Sequence, residues 1–314
     1  MKVNQLKTII NISAEVNETH LAALNLDFLS SRIRGYVQAD VTLLGSLNKF
    51  TLLEVTADLS KAKASFSPLN HIKPVNTPGM IKVRTDYGDK GRVKGALLDI
   101  DLADFSTQIE FTYDDFITDL KISPFVIKDK YNFSLSFGEN EDRYEISLQG
   151  KDFDISALTK PTNFGLPDGV LSSEKKGQSP FDWVNRLGEN LSIKMDVDNL
   201  HMNNGVVLKG VSGVVERQDN LFEKIVLNGS FTEKHRLSYV LFRDENRNRH
   251  VSLEVPKAEY FFKGFGFIEG MEGGYMSLNG TIPDTPSDDI EELDKNKTLL
   301  EGYAYLVDYR MRDL

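Results

Sequence analysis

The 314-residue chain contains no cysteine. That excludes disulfides, thiolate metal centres and cysteine nucleophiles together. It leaves the compartment open, because a cysteine-free chain is as stable in oxidising as in reducing surroundings. Positive charge is also scarce: 37 Lys and Arg stand against 47 Asp and Glu, for a net charge of −10. No basic run exceeds Lys175-Lys176, so nucleic acid, which needs a clustered basic stripe, is not an expected partner. Long apolar runs are missing too. No window approaches the roughly 20 apolar residues of a membrane helix. The opening MKVNQLKTIINISAEV lacks the apolar core and small-residue cleavage site of a secretory signal. Read alone the stretch is that of a soluble chain; read as a piece of a longer protein, an anchor or export signal would be expected upstream.

What the chain has is alternation. Tyr131, Phe133, Leu135 and Phe137 are apolar, with Asn132, Ser134 and Ser136 between them. Leu191, Ile193, Met195 and Val197 alternate with Ser192, Lys194 and Asp196, and Tyr303, Tyr305, Val307 and Tyr309 repeat the pattern near the end. A period of two places one kind of side chain on each face of a sheet. The expected fold is mainly β: an elongated, twisted antiparallel sheet curled into an apolar trough, with a few short helices.

Along the chain, Val37–Leu43 and Leu53–Leu59 read as a hairpin around Gly45-Ser46-Leu47-Asn48. Pro68, Pro74 and Pro78 forbid a central strand after it. A meander follows from Gly79 to about Leu158, with a strand roughly every ten residues. Residues 1–160 are thus an N-terminal meander segment. Residues 161–188 form a linker with a short helix near Pro180–Leu187, and residues 189–314 a second β segment. A further helix is expected over Lys257–Gly264, ended by Gly264. Pro283 to Lys297, dense in Asp and Glu, reads as a solvated loop.

Motifs for chemistry are weak. Gly264, Gly266 and Gly270 resemble a dinucleotide loop, but the third glycine is one residue late and the stretch follows a helix. The carboxylates of residues 284–294 lack the offsets and bend glycine of a calcium loop. Asp99 with Asp101, and Asp196 with Asp198, share a strand face, which is the pattern of a solvent-facing edge. The five histidines form neither an i, i+4 pair nor an HExxH pattern. Ser60 and Lys63 match a nucleophile–base spacing by composition only. The triplets at Asn228 and Asn279 fit glycosylation acceptors, a match common by chance. No cofactor, metal or catalytic residue is expected.

Three stretches carry a resemblance: FTLLEVTADLSKAKASFSP over Phe50–Pro68, LSIKMDVDNLHMNNGVVLKGVSG over Leu191–Gly213, and FFKGFGFIEGMEGGYMSLNGTI over Phe261–Ile282 with GYAYLVDYRMRDL over Gly302–Leu314. In order and spacing they resemble the AsmA-like proteins of Gram-negative envelopes, in particular the YhdP-type subgroup. The resemblance implies a β-trough with an apolar inner face, similar to bridge-like lipid-transfer proteins that carry phospholipid between inner and outer membranes. It implies a place on the periplasmic side of the cell envelope and acyl chains as ligand. The family pattern begins with an N-terminal membrane helix and is far longer, so the chain corresponds to an internal or C-terminal portion. An inner-membrane partner protein or a separate segment would then supply the anchor.

The expected groove-lining residues, taken from strand parity, are Phe133, Leu135, Phe137, Ile146, Leu148, Ile193, Met195 and Val197. The alternatives are a sealed, non-catalytic structural β-module of the envelope and an enzyme assembled from dispersed residues such as Asp99, Asp101 or a histidine.

Overall fold

The computed structural model describes residues 8–23, 31–46, 49–66, 71–88, 92–114, 116–140, 143–156, 190–219, 221–268, 270–283 and 300–312. Those up to Gly138 form one compact unit and those from Glu139 a second. The protein is mainly β, and each unit is built on eight strands of open sheet that does not close into a barrel. The linker helix expected near Pro180–Leu187 and the acidic stretch after Pro283 lie outside the described residues.

In the first unit the strands β1 (Thr8–Val16), β3 (Val37–Ser46), β4 (Lys49–Asp58), β7 (Gly79–Tyr87), β8 (Val93–Leu102), β9 (Phe105–Asp114), β10 (Phe116–Ile127) and β11 (Tyr131–Asn140) are neighbours in that order. Every pair is antiparallel. The expected hairpin is the β3–β4 pair, with Val41 opposite Val55. The chain between β1 and β3 holds helix α1 (Glu18–Ala23) and strand β2 (Ile33–Gly35). Between β4 and β7 lie β5 (Ala62–Phe66) and β6 (His71–Lys73), which join β2 in a separate three-stranded sheet. Pro74 and Pro78 fall outside these short strands, as a residue without an N–H must.

The register of β10 slips between Ile122 and Phe125 against both neighbours. Three residues of ordinary strand would put Ile122 and Phe125 on opposite faces. The slip restores them to the same one, opposite Leu135 and Phe133.

In the second unit the order is β12 (Arg143–Asp154), β13 (Leu191–His201), β14 (Val207–Gln218), β15 (Leu221–Thr232), β16 (His235–Arg243), β17 (Arg249–Val255), β18 (Met271–Ile282) and β19 (Glu301–Met311). All neighbours are antiparallel except β12 and β13, which run parallel with Ile146 opposite Ile193. This departs from an all-antiparallel expectation. A parallel pair needs a crossover of a dozen or more residues, and the chain from residue 155 to residue 190 is long enough to supply one.

Helix α2 (Ala258–Phe265) follows β17. Its end is not Gly264, which is buried inside the helix with Met202 and Val206 where a Cβ would stand. Gly266 ends it instead, in the left-handed region at φ 71°. There the Gly266 N–H reaches the Lys263 carbonyl, and the Phe267 N–H reaches that of Phe262. Two side chains of a 3₁₀ turn between β13 and β14 (Asn203–Gly205) fasten the same end: Asn203 Nδ2 donates to the Gly264 carbonyl at 3.1 Å and Asn204 Nδ2 to that of Lys263 at 3.1 Å.

Candidate functional site

Residues directly opposite in a ladder share a face, so the registers build each face row by row. In the first unit one row runs Val41, Val55, Val83, Leu98, Ile109, Ile122, Leu135. The row beside it runs Leu43, Leu53, Thr85, Ala96, Phe111, Leu120, Phe137. Phe133 stands opposite Phe125 on this same face. The reverse face carries Asp40, Thr56, Lys82, Asp99, Gln108 and Lys121. Asp99 there accepts a 2.7 Å bond from Gln108 Nε2. The period-two sequence has thus become an eight-stranded sheet, greasy on one side and wet on the other.

One end of the apolar face is covered. The small sheet lays Ala62, Ala64 and Ile33 against Val16, Val37, Ala57 and Ile81, with Leu59 beneath. Lys73 of that sheet is fully buried. Its three ammonium protons are matched by the carbonyls of Leu59 at 2.8 Å, Ala62 at 3.0 Å and Pro74 at 3.0 Å. Desolvation pushes the Lys73 pKa below its ordinary value, with the Asp58 charge opposing. Further along, His71 meets Phe105 edge-on at 5.6 Å, followed by Phe125, Tyr131 and Phe133 in ring contact. Away from this end Val41, Val55, Leu98, Ile109, Ile122, Leu135 and Phe137 are only half-buried.

The second unit repeats the arrangement. Ile146, Ile193, Val215, Ile225, Leu241 and Val251 form one row, and Leu148, Met195, Gly213, Leu227, Tyr239, Leu253 and Leu278 the next. Val197, opposite Val211, is on the same face and 1% exposed. Helix α2 closes one end, packing Tyr260, Phe261 and Phe265 onto Leu200, Val211, Phe231, Leu237 and Val255. Ile193, Met195, Val215, Ile225 and Leu227 remain half-buried. The eight parity residues therefore fall on the apolar faces: Phe133, Leu135 and Phe137 in the first unit, the other five in the second. Phe133, Leu148 and Val197 are buried among neighbours, and the remaining five are half-buried.

Strand β19 departs from the sequence reading. Its tyrosines were expected on the greasy side, yet Tyr303 stands opposite Asn279 and Tyr305 opposite Ser277, on the wet face. Gly302, Ala304 and Leu306 continue the apolar rows opposite Gly280, Leu278 and Met276. A tyrosine has an apolar ring and a polar tip, so alternation alone does not assign its side. The Tyr303 and Tyr305 rings are stacked at 5.5 Å and 6°, and are 58% and 46% exposed.

Beside them the wet face holds a group that no sequence motif marked. His250 Nε2 lies 2.8 Å from Asp244 Oδ2, and its Nδ1 lies 3.2 Å from the Thr281 hydroxyl. Phe242 stacks over the imidazole at 5.1 Å. The Asp244 carboxyl is held below the usual carboxylate range, chiefly by the His250 hydrogen bond and further by the N–H of Asn248. Phe242, His250 and Thr281, with Ser252, Asn279 and Tyr303, line an open cavity of about 440 Å³, and Asp244 lies outside its lining. The three relay residues come from a turn and two strands and meet only through register, so spacing in sequence gives no sign of them.

The other sequence candidates stay apart. Asp196 and Asp198 are exposed on the wet face, and Gly264 and Gly266 belong to the end of α2. Among the described residues no group of His, Asp and Glu is arranged to hold a metal ion, and no helix is long and apolar enough to cross a membrane. No family model, curated protein or solved structure matches the chain.

Proposed function

We propose that the apolar faces hold phospholipid acyl chains, and that the chain is a lipid-holding or lipid-conducting segment of an AsmA-like envelope protein, acting without catalysis on the periplasmic side. The observation that supports this reading is the predominantly apolar row structure of each unit. It is closed over at one end, and elsewhere its side chains stop at half-burial. Soluble proteins seldom leave a contiguous apolar patch of this kind uncovered. Burying one methylene is worth about 0.8 kcal/mol, so a long acyl chain leaving a membrane for water costs on the order of 12 kcal/mol. A greasy sheet face offsets most of that cost without any specific side chain, while a headgroup stays in water. No reactive cluster is needed for such a task.

The test is native mass spectrometry with lipid extraction on the chain expressed in a bacterial envelope. Copurified phospholipid at about one or more per chain supports the reading. A lipid-free, monodisperse and stable protein overturns it and favours a structural β-module. Such a module would contact partners through sheet edges, since among the described residues β1 pairs with β3 alone and exposes Ile9, Ile10 and Ile12.

A further inference from the structure

The aromatic cavity on the wet face of β16–β19 is a built site, and its chemistry differs from that of the apolar face behind it. Its floor is polar: His250, Ser252, Asn279 and Thr281 occupy adjacent positions of two neighbouring rows. The imidazole is fixed from both sides, by Asp244 and by Thr281. With Nε2–H donating to the carboxylate, Nδ1 accepts from the threonine hydroxyl. The walls are rings. Phe242 stands on one side, 48% exposed, and Tyr303 on the other, its ring stacked on that of Tyr305. Exposing three aromatic rings on this face is costly in water, and the Tyr303 ring, braced by Tyr305 and 58% exposed, offers a surface for stacking.

We propose that this cavity binds a neutral hexopyranose oligosaccharide. The axial C–H face of a pyranose ring is apolar and lies flat on a tyrosine ring, while its equatorial hydroxyls need in-plane donors and acceptors. The Tyr303 ring supplies the first requirement, and Asn279 and Ser252 supply the second. The volume falls within the range of small-ligand sites, and the open mouth suits a chain laid across the surface. Charge selects against other ligands: Asp244 and Glu301 beside the cavity repel phosphates, which excludes nucleotides and phosphorylated sugars. Phe242 and Tyr303 stand on strands three apart, β16 and β19, too far for the close aromatic cage that a quaternary ammonium requires.

The test is isothermal titration of the full chain with cellohexaose, maltohexaose and chitohexaose, repeated with Tyr303→Ala and Tyr303→Phe. Tyr303 is exposed, so neither change threatens folding, and circular dichroism checks it. The expected result is saturable binding of at least one hexasaccharide, weakened about tenfold or more by Tyr303→Ala and kept within about threefold by Tyr303→Phe. No saturable binding of any of the three overturns the proposal. So does binding that survives Tyr303→Ala, or displacement of the sugar by glucose 6-phosphate or tetramethylammonium. Lipid content is measured in the same variants and is expected not to change, which separates this site from the apolar face.

Discussion

Phe125 and Phe133 face each other across the β10–β11 ladder, with ring centroids 4.8 Å apart and planes 26° from parallel. Both are 8% exposed and belong to a ring chain that includes Phe105 and Tyr131. Truncating a buried phenylalanine removes its transfer energy and leaves a cavity. Phe125→Ala is expected to lower unfolding stability by about 3 kcal/mol, read as a lower denaturant midpoint with unchanged slope.

Parity gives a sharper test of the lipid reading than any single residue. Leu135 lies on the apolar face and Ser136, opposite Lys121, on the wet one. Leu135→Asp is expected to abolish lipid retention in a folded protein, and Ser136→Asp to leave it unchanged. Equal lipid content in the two folded variants would sink the reading.

Lys73 fastens the small sheet through three carbonyls. Lys73→Ala removes three hydrogen bonds from a charged donor, each worth about 1.5–3 kcal/mol, although the Leu59 carbonyl keeps the Ala62 N–H and the Pro74 carbonyl the Thr77 hydroxyl. The expected loss is about 3 kcal/mol or more, with faster amide exchange concentrated in β2, β5 and β6.

Asp58 accepts hydrogen bonds from Ser60, which hold its pKa below the ordinary value, with smaller help from Lys73 and Lys61. A carboxylate with a depressed folded-state pKa contributes stability above its unfolded value, and that contribution fades as pH falls through the folded one. Glu18 and Asp244 are shifted in the same direction. The thermal midpoint is expected to hold between about pH 7 and 5 and to fall below about pH 4. Asp58→Ala should be less stable at neutral pH and show a shallower acid slope.

The end of α2 depends on side chains from another element. Asn203→Ala removes the donor that satisfies the Gly264 carbonyl, and a loss of about 1 kcal/mol is expected. Gly266→Ala, forced into the left-handed region, is expected to cost about 1 kcal/mol. Calorimetry on the two single variants and the double tests whether the losses add.

Much of this was legible in the sequence because period two is a local property. The alternation through Tyr131–Phe137 and Leu191–Val197 needs no knowledge of partners, and neighbouring strands with the same alternation pair face to face. What failed was ambiguous at the level of one residue. Tyr303 and Tyr305 are amphipathic, so β19 was assigned to the wrong side. Gly264 and Gly266 differ only in backbone angle, which composition does not report. The parallel pairing of β12 with β13 depends on a crossover, and hydrophobic pattern carries no direction. The relay of Asp244, His250 and Thr281 is a product of register between distant strands, and nothing in the spacing of those residues announces it.

The slip in β10 acts as a phase mark for the strand. Ahead of it the residues keep one beat and after it the other, and Ile122 and Phe125 share a side only because one count is dropped between them. Removing one residue from Ser123-Pro124 would restore ordinary alternation and keep Phe125 and Ile127 on the side of Ile122, whereas removing both would turn them outward into water. One residue can be dropped there without exchanging the faces, so a two-residue deletion is the change this point tolerates least.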